Sequence, residues 1–210
     1  QAFVKLYDQL AGSLTFPVMI AGESMVLNDS EMLALQRHTN GEVREHAQNV
    51  FLGTYAKHSL VFTSIFNNLL LDHKIESEQR GYEDATVPTH LSNEIAGVTV
   101  EAMMDAVERH YPLVQRYFRL KARLLGKERL KITDLFAPVR KVREVIPFKE
   151  AVSAIVTAFN DFSGEFGAIA ETLFDGQWVD AEVRSGKRGG AFCAALSPAH
   201  HPYILCSYNG

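Results

Sequence analysis

Cysteine, long apolar runs and excess charge are all scarce in this sequence of 210 residues. Its two cysteines, Cys193 and Cys206, are too few for a disulfide framework, so a reducing cytoplasm is the simpler inference, although pairing between neighbouring strands stays open. No run approaches the roughly 18 uncharged apolar residues of a membrane span, and no signal peptide pattern opens the sequence. The net charge of −4 gives no general attraction to nucleic acid or to anionic membrane. We therefore expect no nucleic-acid partner and no membrane partner.

Complete catalytic motifs are also missing. None of the eight histidines is followed by Glu, which excludes the His-Glu-x-x-His zinc motif within these residues. None has Glu three positions before it, which excludes the paired Glu-x-x-His sites of di-iron bundles. The segment from Gly22 to Val26 lacks the second Gly of a nucleophile elbow, and Lys187 does not belong to a complete P-loop motif. We expect no catalytic residue and no metal ligand in this sequence.

Several residues that invite a chemical role have plainer explanations. His58 falls on the apolar face of a predicted helix, as a core histidine does, and Cys193 and Cys206 are predicted to be small buried strand residues. His200 and His201 are candidates for a metal or substrate site, but adjacent residues in a loop point in different directions, which favours a structural or solvent-exposed role. A basic cluster between 116 and 131 predicts a solvated helix face, because no exposed aromatic residues are interleaved with it. Its members are Arg116, Arg119, Lys121, Arg123, Lys127, Arg129 and Lys131.

Apolar positions that recur every three or four residues predict a mainly helical chain. One long amphipathic helix is predicted over 42–79, and Gly81 should end it. A second is predicted over 100–125, where Pro112 should kink or split it because proline lacks the backbone donor and crowds the preceding turn. Residues 133–143 have the pattern of a linker. Shorter helices are predicted over 2–11, 30–38, 89–95, 148–159 and 162–174.

Strand patterns occur in two regions. Residues 14–20 and 25–27 predict a β-hairpin near the N-terminus. Further along, apolar and aromatic runs at 178–183, 191–196 and 203–208 are bounded by glycine and proline, which is typical of short strands. The sequence therefore predicts a mainly α fold with a small β region.

The most distinctive stretch runs over residues 186–210. Gly189 and Gly190 have no Cβ, so another backbone could approach the edge of the strand that follows them closely. Proteins that hold an extended peptide by adding it to a sheet edge need this geometry. An ordinary glycine-marked hairpin is the alternative interpretation. We call residues 189–193 the candidate substrate strand; the candidate binding residues are Gly189, Gly190, Ala191, Phe192, Cys193, His201 and Tyr203.

These residues also resemble a known family. The run GKRGGAFC at 186–193, followed by HPYIL at 201–205, is similar to the segment just before the zinc-binding helix of the oligoendopeptidase F family, which are thimet-oligopeptidase-like zinc metallopeptidases. Other family-like features occur upstream in the same order: Arg44 with Ala47, the run ITDLFAP at 132–138, and Trp178 followed by Val-Asp. The resemblance covers most of the chain.

The resemblance implies a fold and an activity. The fold would be the long-helix portion of a zincin-like, clam-shaped helical metallopeptidase. Residues 1–147 would form a helical channel wall with a β-hairpin, and residues 148–210 would form helices and a small sheet leading into a zinc helix. The intact enzyme would hydrolyse short peptides in the cytoplasm, using Zn²⁺ held by two His and a Glu.

The sequence departs from the family in one respect. Family members carry His-Glu-x-x-His soon after this stretch, and these residues stop at Gly210 without it. We therefore expect the remainder of the same polypeptide to carry the zinc site, and this chain alone to be inactive and to bind no zinc. The alternative is a non-catalytic helical module that holds a peptide or a protein partner.

Overall fold

The computed structural model describes residues 2–140, 145–184, 186–187 and 190–208. It shows a mainly helical chain with a two-stranded and a three-stranded sheet, which confirms the predicted fold class. In chain order the elements are α1 (Ala2–Ser13), β1 (Phe16–Ile20), β2 (Glu23–Leu27), α2 (Asp29–Ala34), α3 (Gly41–Lys57), α4 (Ser59–Arg80), α5 (Val87–Ser92), α6 (Gly97–Leu124), α7 (Phe148–Phe162), α8 (Gly164–Asp175), β3 (Val179–Asp180), β4 (Phe192–Ala194) and β5 (Tyr203–Leu205), with 3₁₀ helices at Leu35–Arg37 and Ile132–Asp134.

The predicted N-terminal hairpin forms and carries the main apolar core. β1 and β2 pair antiparallel, and alternate residues of β1 are buried because successive side chains point to opposite faces of a strand. Phe16 is fully buried and its ring stacks on Phe51 of α3, with 5.2 Å between ring centroids. Leu14, Val18, Met32 and Ala47 complete this core. It fixes the hairpin on α3.

The single helix predicted over 42–79 is wrong, because α3 and α4 are separated at His58. The His58 N–H bonds to the Tyr55 carbonyl at 3.0 Å, so the α-helical ladder is interrupted there. Beyond the break, Phe62 stacks on Tyr55 at 5.3 Å and meets Tyr7 of α1 edge-on at 5.7 Å. These ring contacts favour the interrupted path over a continuous helix. His58 is half-buried at this junction and is not the core histidine that its pattern predicted.

Pro112 does not split α6, which runs without interruption from Gly97 to Leu124. Proline removes one backbone donor, which leaves the carbonyl four residues earlier without its helical partner. That carbonyl belongs to Glu108, and both residues are exposed, so water can satisfy it. Gly81 follows α4 as predicted, and Gly126 follows α6 in the same way, each with a left-handed φ, of 67° and 66°.

A buried ion cluster ties α3 to the 3₁₀ helix Ile132–Asp134. Asp134 accepts hydrogen bonds from Arg44 Nη2 at 2.6 Å, from Lys127 Nζ at 2.6 and 2.7 Å, and from the Lys131 N–H at 3.0 Å. Arg44 also donates to the carbonyls of Thr133, His38 and Thr39 at 2.8, 2.6 and 3.1 Å. The segment predicted as a linker over 133–143 therefore begins as an anchored turn; residues 141–144 lie outside the described part.

The basic cluster is only partly the solvated face that its charge pattern predicted. Lys121 is buried and donates to the Leu135 carbonyl. Lys127 bonds to Asp134, and Lys131 bonds to Glu45 at 2.8 and 3.0 Å. Long basic side chains can bury their stems while their charged ends reach carbonyls and carboxylates. Three of the seven positive charges therefore hold segments together.

The C-terminal region packs α7 against α8 and joins them to the second sheet. Both helices occur near their predicted positions, with Ser163 as the residue between them. Phe148, at the start of α7, contacts the Tyr208 ring edge-on at 5.5 Å, and the Tyr208 hydroxyl donates to the Ile146 carbonyl at 2.6 Å. Among the helices of the described residues, none combines the length and apolar character that crossing a membrane requires.

Candidate substrate-binding edge

The three-stranded sheet places β4 at one edge. The strand order is β3, β5, β4, so β5 lies between the other two. β3 pairs parallel with β5 through Val179 opposite Ile204, and β4 pairs antiparallel with β5 through Cys193 opposite Ile204. The strands are shorter than the sequence predicted, but the candidate substrate strand runs into an edge strand. An edge strand can accept a further extended backbone on its outer side.

Three candidate residues, Ala191, Phe192 and Cys193, lie together at β4 and are exposed. Gly190 precedes them with a left-handed φ of 86°, a conformation that favours glycine, and a Cβ built there would meet nothing within 4 Å. Gly189 lies outside the described residues. The prediction that Cys193 is buried is wrong, because its strand forms a sheet edge; Cys206 is half-buried, and both thiols are free.

His201 and Tyr203 belong to a ring cluster and not to the edge strand. The His201 ring stacks on the indole of Trp178 with 3.4 Å between centroids and 1° between planes. Tyr203, in the central strand β5, contacts the His201 ring edge-on at 4.7 Å. These contacts pack the turn before β5 onto the start of β3. His200 is separate: its Nδ1 lies 2.7 Å from Ser197 Oγ in an exposed turn.

Sequence reasoning missed the residue that organises the ends of this sheet, Lys187. Its side chain is 3% exposed, and Nζ donates to the carbonyls of Asp180, Glu182 and Cys206 at 3.0, 2.6 and 2.6 Å and to Asp180 Oδ1 at 3.0 Å. The parallel strands β3 and β5 end side by side, which brings these carbonyls together. A lysine in the short connection after a predicted strand was the available signal. Lys187 thereby fixes the chain three residues before Gly190.

Asp180 adds a carboxylate to this arrangement. Arg184 binds it with two bonds of 2.7 Å, one to each oxygen. Hydrogen bonds from Arg184, and then from Lys187, hold the pKa of Asp180 well below its usual range. Asp180 is therefore ionised at neutral pH and acts as a structural anion between two cations.

The described residues contain no set of metal ligands, because no group of three or more His, Cys, Asp or Glu side chains converges there. Asp134, the most buried carboxylate discussed above, faces three cationic or N–H donors, which is the opposite of a cation site. The zinc that the resemblance implies does not fit these side chains. The described residues therefore offer an exposed strand edge, and the chain segment that leads into this edge is held in place.

Comparisons with known proteins agree on one family. The model for Peptidase family M3 matches residues 34–210. The chromosomal oligoendopeptidase F of Lactococcus lactis subsp. cremoris is 22% identical over 206 residues, covering 98% of this chain and 34% of that protein. Oligopeptidase PepF of Bacillus subtilis (strain 168) is 22% identical over 199 residues, covering 93% of this chain and 30% of that protein. The chain thus spans about a third of the length of these curated relatives.

Solved structures show the same fold. A crystal structure described as an oligoendopeptidase F from Bacillus anthracis str. Ames aligns with the whole chain and with 39% of its own chain, with a TM-score of 0.83 at 17% identity. A structure described as PZ peptidase A with an inhibitor aligns with 99% of this chain, with a TM-score of 0.84 at 15% identity. The described residues therefore have the architecture of one part of these helical peptidases. The chain belongs to Peptidase family M3, and the resemblance to oligoendopeptidase F found in the sequence is confirmed.

Proposed function

We propose that the full-length protein hydrolyses short peptides, and that β4 binds the peptide backbone. The observation that carries this proposal is the position of β4 at a sheet edge, beginning two residues after Gly190, in a chain of a peptidase family. Main-chain hydrogen bonds to an edge strand accept any side chain, so broad sequence tolerance follows. The same strand edge is also the feature that a non-catalytic peptide-binding module would use.

The helices supply the second part of the proposal. We assign α4 and α6 to the wall of a channel whose width limits the length of the peptide, within a helical region of residues 1–147. Residues 148–210 form the second region, which presents the sheet. Two free thiols, Cys193 and Cys206, are compatible with our assignment of the protein to the reducing cytoplasm.

We assign zinc dependence to the remainder of the polypeptide, which would carry the ligands. The accessible surface of this chain supports a larger body: it is 15656 Å², whereas a compact monomer of this length exposes about 9,700 Å². Large apolar side chains contribute to the excess, among them Leu60 at 83%, Phe162 at 78% and Val98 at 71% exposure. Apolar surface on this scale is normally covered by other protein.

The test uses the full-length protein and a length series of internally quenched fluorescent peptides. We expect cleavage of short members irrespective of their side chains, loss of cleavage with a chelator, and zinc retained after dialysis at one ion per chain. Peptides in which one backbone amide at a docked position is N-methylated should be cleaved poorly, since the methyl group removes the donor that an edge strand needs. Tight binding of the same peptides without any cleavage would instead establish the binding module.

A further inference from the structure

A groove of about 770 Å³ opens where the chain enters β4. One side is formed by α2 and by the 3₁₀ helix Leu35–Arg37 with His38, and the other by Gly190, Ala191 and residues 206–208. The groove therefore continues the line of the edge strand past its N-terminal end. A peptide extended along β4 would pass into it, so the groove lies where a peptide end would be held.

Within the described part of the chain, the charge of the groove comes from one side chain. Of the described residues that line it, Arg37 carries the only formal charge, and no carboxylate is among them. The guanidinium carbon lies 5.3 Å from the centroid of the Phe136 ring, which holds the group by a cation–π contact. In the part of the chain that the structure describes, Arg37 makes no ion pair. Its N–H groups are thus available to an anion in the groove.

His38, the next residue, adds a second donor. Its Nδ1 accepts the Asn40 N–H at 3.1 Å, so in the neutral ring the proton is on Nε2. The His38 backbone is held as well, because its carbonyl accepts from Arg44 Nη1 at 2.6 Å. The donors of Arg37 and His38 are therefore mounted on a segment that the buried ion cluster fixes.

We propose that this groove binds a carboxylate of the peptide that docks on β4, with Arg37 as the residue that recognises it. The inference rests on the proposed function, because it takes the ligand to be a peptide. A guanidinium matches the two oxygens of a carboxylate with two parallel N–H donors, and such charged pairs are stronger than neutral ones. The ligand class is thus a short peptide with a carboxylate at the end that reaches the groove.

The test compares three peptides with the full-length protein: a peptide with a free C-terminal acid, the C-terminal amide of the same sequence, and a C-terminal amide in which the last residue is changed to Glu. Arg37→Ala should raise KM for the free acid by about tenfold and leave kcat unchanged, since it removes a charged contact made equally in substrate and transition state. The amide should show little change. Arg37→Lys should recover part of the loss, because it keeps the charge without the planar fork. Arg129→Ala removes one positive charge from an exposed position outside α4 and α6 and is the matched control.

The three peptides also identify the carboxylate. A loss in R37A confined to the free acid supports recognition of the C-terminus, and a loss with the Glu-terminated amide supports a side-chain carboxylate. An equal loss for all three peptides, or an equal loss in R129A, overturns the proposal. If no peptide is cleaved, the proposed function fails separately, and the same comparison by fluorescence anisotropy of labelled peptides still tests the groove.

Discussion

Arg44 and Glu45 are neighbours on α3; Arg44 forms a buried ion pair and Glu45 forms an exposed one. Arg44 pairs with Asp134 at side-chain exposures of 3% and 1%, whereas Glu45 pairs with Lys131 at exposures of 48% and 62%. A buried charge that loses its partners remains desolvated, while an exposed charge is rehydrated by water. The two residues thus allow the contributions of a buried and an exposed ion pair to stability to be compared at one junction, between α3 and residues 131–134.

We expect Arg44→Lys to lower the free energy of unfolding by about 2–4 kcal/mol, because a single, shorter-reaching ammonium would have to replace three guanidinium nitrogens, Nε, Nη1 and Nη2, that bond to separate acceptors. Glu45→Gln should cost less than about 1 kcal/mol, as an exposed pair does. Urea denaturation of the full-length protein, followed by circular dichroism, measures both changes. Losses of similar size in the two variants would contradict the structural role given to the buried cluster.

At the scale of elements, the edge strand β4 can be probed through its own thiol. Cys193 is exposed on β4, so a bound peptide should slow its alkylation several-fold, read by mass spectrometry of the labelled fragment. The experiment uses the Cys206→Ser variant with a chelator present, so that the peptide persists. The control is the same peptide with N-methylated amides, which cannot form the backbone bonds of an added strand.

Equal protection of Cys193 by the normal and the N-methylated peptide would show that binding does not use the strand edge. The protein would then hold peptides through side-chain contacts elsewhere, and a glycine-marked hairpin would be the better description of β4. Gly190→Val cannot make this distinction, because φ at Gly190 is 86° and any larger residue there is strained whether or not a peptide binds.

Elements that depend on local pattern were predictable, and elements that depend on distant contacts were not. The hairpin, the ends of α4 and α6, and an extended run at β4 follow from apolar spacing and from glycine, which act within a few residues. The break at His58 follows from ring contacts with α1, and the anchoring of Asp134 follows from Arg44, which is 90 residues away. Neither leaves a local pattern in the sequence.

The candidate site divides in the same way. Its strand could be identified from the run at 186–193 and its resemblance to a family. The contacts of Lys187 and Arg37 could not, because those of Lys187 need the parallel ends of β3 and β5, and those of Arg37 need α2 to face the start of β4. The buried state predicted for Cys193 failed because the pattern of a strand does not reveal whether it lies at an edge.

For the molecule as a whole, Asp134 predicts the response to acid. Burial raises the pKa of Asp134, but hydrogen bonds from Lys127, the Lys131 N–H and Arg44 outweigh it, and the net pKa is about 2, below the ordinary 3.8. The carboxylate therefore contributes stability that is complete above about pH 5 and is lost as pH falls towards 2. At about 1.4 kcal/mol for each pKa unit, the contribution is about 2 kcal/mol.

Urea midpoints of the full-length protein at a series of pH values from about 6 to 3 measure this contribution. Asp134→Asn should be less stable throughout and should lose part of the decline with acid, since the amide does not titrate. Asp105→Asn, on an exposed face of α6, serves as the control and should keep the decline. A slope for Asp134→Asn that matches the unaltered protein would assign the acid sensitivity to other carboxylates.

The distance along the chain between Arg44 and Asp134 also determines how long their ion pair is delayed during synthesis. The two residues are 90 positions apart, and a ribosome that adds roughly 5–20 residues per second needs about 5 to 18 s to make that stretch. Until then the Arg44 guanidinium lacks its carboxylate partner, so the start of α3 lacks its buried ion pair. The nascent chain meanwhile presents the exposed apolar faces of α4 and α6. Chaperones that recognise such faces therefore have many seconds in which to bind before Arg44 and Asp134 can pair.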